Sequence, residues 1–155
     1  MNPLSQKFLS AAIETLRRYS WFPVSVFLAH EICAHGLDAY RRWPAIDIPL
    51  HFLGGMAIAY FAAGALHVAG EHRLLHPPDP RLRIVLLFGL VTTVAVFWEF
   101  AEWIADHTLG TQCQLSLGDT LLDLLMGMLG GLAYLLPALG RIFRTNFSSA
   151  PDQQP

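Results

Sequence analysis

The sequence predicts an all-α membrane protein: about four transmembrane helices in a small bundle, preceded by an amphipathic N-terminal helix. Three observations predict it. The 155 residues are 54% hydrophobic and only 14% charged, against roughly 25% charged in an average soluble domain, and the mean hydropathy is +0.41. Residues 50–70, 84–104 and 120–140 are apolar runs of the ~20 residues that cross a hydrocarbon core. The basic residues sort to one side when these runs and a fourth, over 19–40, are threaded through a bilayer.

In chain order, residues 1–18 predict the interfacial helix, with apolar positions near helical spacing and Arg17 and Arg18 at its end. That charged pair precedes the first apolar run, so a cleavable signal peptide is not expected. Residues 19–145 form one membrane domain. The span over 19–40 is uncharged only as far as Ala29 and contains Pro23. If it crosses, Lys7, Arg17, Arg18, Arg73, Arg81, Arg83, Arg141 and Arg144 share one side, and Arg41 and Arg42 the other. If it does not, the basic residues divide evenly and the positive-inside bias disappears. Four spans with both termini cytoplasmic is the arrangement this favours, in a bacterial inner membrane. Residues 71–83 read as a Pro-broken loop, and 146–155 as a disordered tail. The chain carries no repeat, no phosphate-binding glycine loop and no basic, aromatic-interleaved patch for nucleic acid.

The same threading gathers eight of the twelve acids at the outer end: Glu31, Asp38, Asp47, Glu99, Glu102, Asp106, Asp119 and Asp123. Ionisable groups at membrane depth are costly and mark functional sites. Within each segment they recur at helical spacing, as in Glu31, His35 and Asp38; Asp47 and His51; Glu99, Glu102 and Asp106; Asp119 and Asp123. Two stripes continue in small residues, His51, Gly55, Ala59, Ala63 and Asp123, Gly127, Gly131. Small residues at that spacing let membrane helices approach closely, so the polar stripes are expected to face a shared interior.

Structural readings compete at several positions. Asp47, two residues before Pro49, suits an N-cap, and Ser116 with Asp119 a capping box. Trp98 and Trp103 suit interface anchors. Asp106 and His107 suit a solvated loop, and Asp38, Arg41 and Arg42 an exposed charge cluster. The run His30 to His35 resembles a zincin helix but places its second histidine one residue too late to share a face with the first. Cys33 and Cys113 both fall towards the outer side, where a disulfide and two buried thiols are both open readings.

Three chemistries use such a cluster. Imidazole and carboxylate suit zinc, iron or manganese, and helical bundles build metal sites from inward-facing Glu and His. The expected ligands are His51, Glu99, Glu102 and Asp123, with Asp47 and His35 orienting them from behind by hydrogen bonds and Asp119 or Glu31 as general base. A proton or cation path is the second reading, against which the inner halves of the spans carry no acids and only His67 lies near the inner end. A polar network for helix packing or partner binding is the third.

The motifs Asp47-Ile-Pro-Leu-His51-Phe52 with Gly54-Gly55, Trp98-Glu99-Phe-Ala-Glu102-Trp103, Leu109-Gly110-Thr111-Gln112, and Gly118-Asp119-Thr120 with Asp123, Gly127 and Gly131 resemble the YjdF-like inner-membrane proteins and, more distantly, the VanZ-like family. The resemblance covers roughly residues 40–135. It implies that Asp47, His51, Glu99, Glu102, Asp119 and Asp123 are the family's characteristic polar positions. Asp123 stands where VanZ-like proteins tend to have Asn, which favours the YjdF-like branch. The resemblance implies a fold and a membrane location rather than an activity. The expectation from the residues is a metal-dependent enzyme acting on a lipid or envelope precursor, with a non-enzymatic transporter or partner-binding subunit as the alternative.

Overall fold

The computed structural model describes residues 2–33, 37 and 42–148. His35, Asp38 and Arg41, named above, lie outside the described residues. The described chain forms five α-helices: α1 (Pro3–Tyr19), α2 (Trp21–Glu31), α3 (Asp47–Glu71), α4 (Pro80–Leu109) and α5 (Leu117–Ser148). A short 3-10 turn, Pro44–Ile46, leads into α3. α5 continues three residues into the segment expected as a tail.

Asn2 starts α1 by accepting a hydrogen bond from the Leu4 amide, with Pro3 at the first helical position. α1 and α2 are separated by Ser20 alone. The break follows from Pro23, which has no N–H for the Tyr19 carbonyl and whose ring crowds it. α1 turns Glu14 and Arg18 to the bundle and leaves Leu4, Phe8, Ile13 and Leu16 exposed. His72 bonds Glu14 at 2.6 Å, and Arg18 bridges Glu14 at 2.6 Å and Glu71 at 3.0 Å. The His72 hydrogen bond, with Arg18 beside it, holds the Glu14 carboxyl below its ordinary value.

Three helices are long and apolar enough to cross a membrane: α3, α4 and the part of α5 over Leu117–Gly140. Of the span expected over 19–40, residues 19–33 and 37 are described, and the α-helix within it, α2, has 11 residues that rise ~16 Å, about half of a ~30 Å hydrocarbon core. α2 nevertheless climbs along α3. The Tyr19 ring sits over Gly64, Trp21 donates to the Tyr60 hydroxyl at 3.0 Å, and His30 and His51 line one cavity at the far end.

Small residues set the helix spacing. A Cβ on Gly55 would fall 1.8 Å from the Gly127 carbonyl oxygen, and one on Gly130 1.8 Å from that of Phe52. α3 and α5 therefore run backbone against backbone, as the stripes of small residues predicted. Gly131 receives Val91 of α4 in the same way. Below this contact Ala62, Ala63, Leu87 and Leu135 form an apolar core.

The polarity pattern is the inverse of a soluble protein's. Glu99 is 6% exposed and Glu102 7%, whereas Phe97 on the same helix is 68% exposed. Burying carboxylates while exposing phenyl rings is favourable only where the surroundings are hydrocarbon. The fold is thus a small all-α membrane bundle.

Candidate functional site

α3, α4 and α5 run up, down and up, so the start of α3, the end of α4 and the start of α5 lie at one end of the bundle. There the structure brings together Asp47, His51, Glu99, Glu102 and Asp123. The four acids are buried. The imidazole of His51 stands at the centre, its Nε2 3.2 Å from Asp47 Oδ1 and 3.9 Å from Asp123 Oδ1, its Nδ1 3.8 Å from Glu99 Oε1. Asp47 and His51 share a face because they are four residues apart on α3; Glu99 and Glu102 do so at a spacing of three on α4.

The cluster divides at the ring. Asp47, His51 and Asp123 form one group whose ligand-type atoms lie within 4.8 Å of one another, and His51, Glu99 and Glu102 form another. The four ligands expected from the sequence are all present, but Asp123 lies on the Nε2 side, whereas Glu99 faces Nδ1. One imidazole offers a given ion one nitrogen. Asp47, expected to orient the ring from behind, lies instead on the side of Asp123.

Protein donors serve the Nδ1 side. Trp98 Nε1 donates to Glu102 Oε1 at 2.7 Å, and Gln114 Nε2 donates to Glu99 Oε2 at 3.1 Å and to its backbone carbonyl at 2.9 Å. Trp98 is therefore more than an interface anchor: its indole turns inward, edge-on to His30 with ring centroids 5.1 Å apart. Trp103 does keep a lipid-facing position, 51% exposed. The Nε2 side is different. Asp47 Oδ1 is a buried side-chain oxygen that makes no hydrogen bond of good geometry among the described residues, and the polar atom paired with it is His51 Nε2 at 3.2 Å.

Asp47 does not cap α3, whose N-cap is Ile46 with no side-chain hydrogen bond. Asp119 does act at its helix start, as the capping-box reading expected. Its amide donates to Ser116 Oγ at 3.2 Å and its Oδ2 accepts from the Leu115 amide at 3.1 Å. It stands one turn outward of Asp123 and outside both ligand groups. Glu31 ends α2, half-buried, directly after His30.

Asp106 and Gln114 complete the site, and only Gln114 was not singled out from the sequence. Asp106, expected in solvated loop, organises the turn between α4 and α5 by accepting from Thr111 Oγ1 at 2.6 Å, the Cys113 amide at 2.8 Å and the Gln114 amide at 3.0 Å. That turn aims Gln114 at Glu99. An acid and a carboxamide eight residues apart across Gly110, whose φ of 70° ends α4 in the left-handed region, were the signal available in the sequence.

Cys33 and Cys113 are both free thiols, half-buried. Burial pushes the Cys113 thiol above its ordinary value, with the nearby Glu102 and Asp106 adding to the shift. Thiolate is the reactive form, so in a Cys33→Ser background Cys113 will react slowly with a membrane-impermeant maleimide at neutral pH and faster as pH rises. Labelling of intact cells from outside, read by gel shift, also fixes the sidedness of the cluster end; labelling only after lysis reverses the orientation expected from the basic residues.

A bundle of apolar helices packed through glycine, with buried acids around one histidine at one end, defines a polytopic membrane protein with an intramembrane polar site. The chain belongs to the family described as "Predicted membrane protein (DUF2238)", whose model matches residues 10–144. This is the YjdF-like family of the resemblance; the comparison gives no support to a VanZ-like kinship. No curated protein and no solved structure matches the chain.

Proposed function

We propose that the protein holds a divalent metal ion of the zinc, iron or manganese class at His51, and that this centre serves a membrane enzyme acting on a lipid or envelope precursor at the outer leaflet of a bacterial inner membrane. The observation that carries the reading is the convergence of Asp47, His51 Nε2 and Asp123, whose ligand-type atoms lie within 4.8 Å of one another, with Asp47 Oδ1 buried and short of a well-formed hydrogen bond. A buried carboxylate oxygen without a donor is costly, and a cation relieves that cost. The spacings fit. Ligand bonds of about 2.1 Å at tetrahedral or octahedral angles put donor atoms roughly 3.0 to 3.4 Å apart, close to the 3.2 and 3.9 Å from His51 Nε2 to Asp47 and Asp123.

In this reading Asp47, His51 Nε2 and Asp123 hold the ion, and Glu99 behind Nδ1 orients the ring, the usual carboxylate and histidine relation of metal sites. Gln114 and Trp98 fix the two glutamates. Asp119, one turn outward on the face of Asp123, would take a proton through Oδ1 while Oδ2 serves the cap, with Glu31 at the end of α2 as the alternative base. The ion would supply Lewis-acid polarisation of a carbonyl or phosphoryl oxygen. The apolar layer of Ala62, Ala63, Leu87 and Leu135 beneath the site supports an enclosed centre over a proton or cation path, as does His67, which sits largely exposed beside Glu71 at 3.6 Å.

The test is elemental analysis of protein purified in detergent without chelators, before and after reconstitution with zinc, iron or manganese. The expected result is about one ion per chain, the content of a single site with three protein ligands. Metal-free protein after every reconstitution sinks the reading.

A further inference from the structure

A cavity of about 240 Å³ lies between α2, α3 and α4, next to the cluster. Its wall is apolar, built from residues such as Val26, Phe27, Ile58, Val91 and Val94, and its polar groups are His30, His51 and the Trp98 indole. It is larger than the ~150 Å³ at which an apolar cavity stays dry and takes up a hydrocarbon. Phe27, in its wall, is 47% exposed, so the cavity reaches the surface that α2 presents to the bilayer. His51 is both part of the wall and the centre of the cluster.

Gly54 supplies a further observation. Gly55, Gly64, Gly130 and Gly131 each lack a side chain because a neighbouring helix occupies the space. Gly54 lines the cavity, and a Cβ there would meet nothing within 4 Å. Packing therefore does not demand glycine at this position, and its effect is to keep the cavity open. Concave, mostly apolar sites with a few polar groups at one end are how proteins hold and orient an amphiphile.

We infer that the cavity between α2, α3 and α4 holds one hydrocarbon chain of a membrane lipid, entering past Phe27, so that the lipid's polar head meets His51 and the surrounding carboxylates. This deepens the proposed function by naming its substrate class. A zwitterionic head suits the site better than an anionic one, since four carboxylates surround the single imidazole and like charges repel strongly at low dielectric.

The test uses the full chain in vesicles containing phosphatidylethanolamine with a diazirine midway along one acyl chain, with crosslinks mapped by mass spectrometry and metal measured on the same samples. Three proteins are compared: wild type, Gly54→Leu, which fills the cavity without meeting backbone, and Gly89→Leu, a position on α4 outside the cavity wall where a Cβ likewise meets nothing within 4 Å. Crosslinks on the cavity-lining peptides of α2, α3 and α4 are expected in wild type and Gly89→Leu. In Gly54→Leu they should fall about tenfold, equivalent to 1.4 kcal/mol, with thermal stability kept. Crosslinks undiminished in Gly54→Leu, or spread evenly around the bundle in wild type, overturn the inference. Cavity labelling without metal supports chain binding while removing the metal reading; metal without cavity labelling does the reverse.

Discussion

His51→Ala will leave the protein without metal. Reconstituted wild type should carry about one ion per chain, and the variant less than about a tenth of that, because loss of one of three protein ligands leaves two carboxylates that water also satisfies. His51 stands in the middle of the cluster, within 3.9 Å of three acids. Asp47→Ala should behave almost as severely, since it removes the carboxylate oxygen that stands nearest His51 Nε2, at 3.2 Å. Glu99→Gln should keep the ion with an affinity lowered about 10 to 100-fold, the effect of a partner behind the ligand rather than a ligand. The three variants read by mass spectrometry of the metal, with size-exclusion profiles as the folding control, distinguish the two sides of the ring. If Glu99→Gln and Glu102→Gln lose metal while Asp47→Ala keeps it, the ion belongs on the Nδ1 side.

Gly55→Leu will break the bundle, whereas Gly54→Leu, one residue earlier, will leave it standing. The Cβ at Gly55 would lie 1.8 Å from a backbone oxygen of α5 and 2.6 Å from the carbonyl carbon bonded to it. Backbone cannot rotate away as a side chain does, so α3 and α5 must separate along their length. The cost is about 3 kcal/mol or more, at or above the top of the usual range for overpacking. Unfolding in mixed detergent micelles, followed by circular dichroism, is the measurement. Gly55→Leu should unfold at much lower denaturant than wild type and should also lose metal, because the α3 to α5 distance sets the separation of Asp47 from Asp123. Equal stability of the Gly54 and Gly55 variants would contradict the close helix contact.

These two expectations rest on information of different kinds, one of which was already present in the sequence. The four-residue repeat of His51, Gly55, Ala59 and Ala63, parallel to that of Asp123, Gly127 and Gly131, fixes which face of each helix turns inward. Helical geometry alone converts that spacing into a stripe. The acids at the ends of those stripes had to meet at one end of the bundle, because hydrocarbon penalises any other placement. Capping at Asp119 was legible for the same reason: Ser116 and Asp119 interact within one turn.

What periodicity cannot supply is the rotation and depth of one helix against another. Contacts such as Gly130 against the Phe52 carbonyl set these, and they place Asp123 and Asp47 on one nitrogen of His51 and Glu99 on the other. The inward turn of Trp98 onto Glu102, the Asp106 turn that delivers Gln114 to Glu99, and the cavity left open beside Gly54 arise in the same way, from elements distant in sequence. The sequence by itself determined the three long helices, their inward faces and the end of the bundle where the buried acids gather, because those follow from local spacing and from the cost of burying charge. Only the tertiary structure decided which atoms of those residues face one another, because an imidazole's two nitrogens are told apart by the neighbours that packing brings to each.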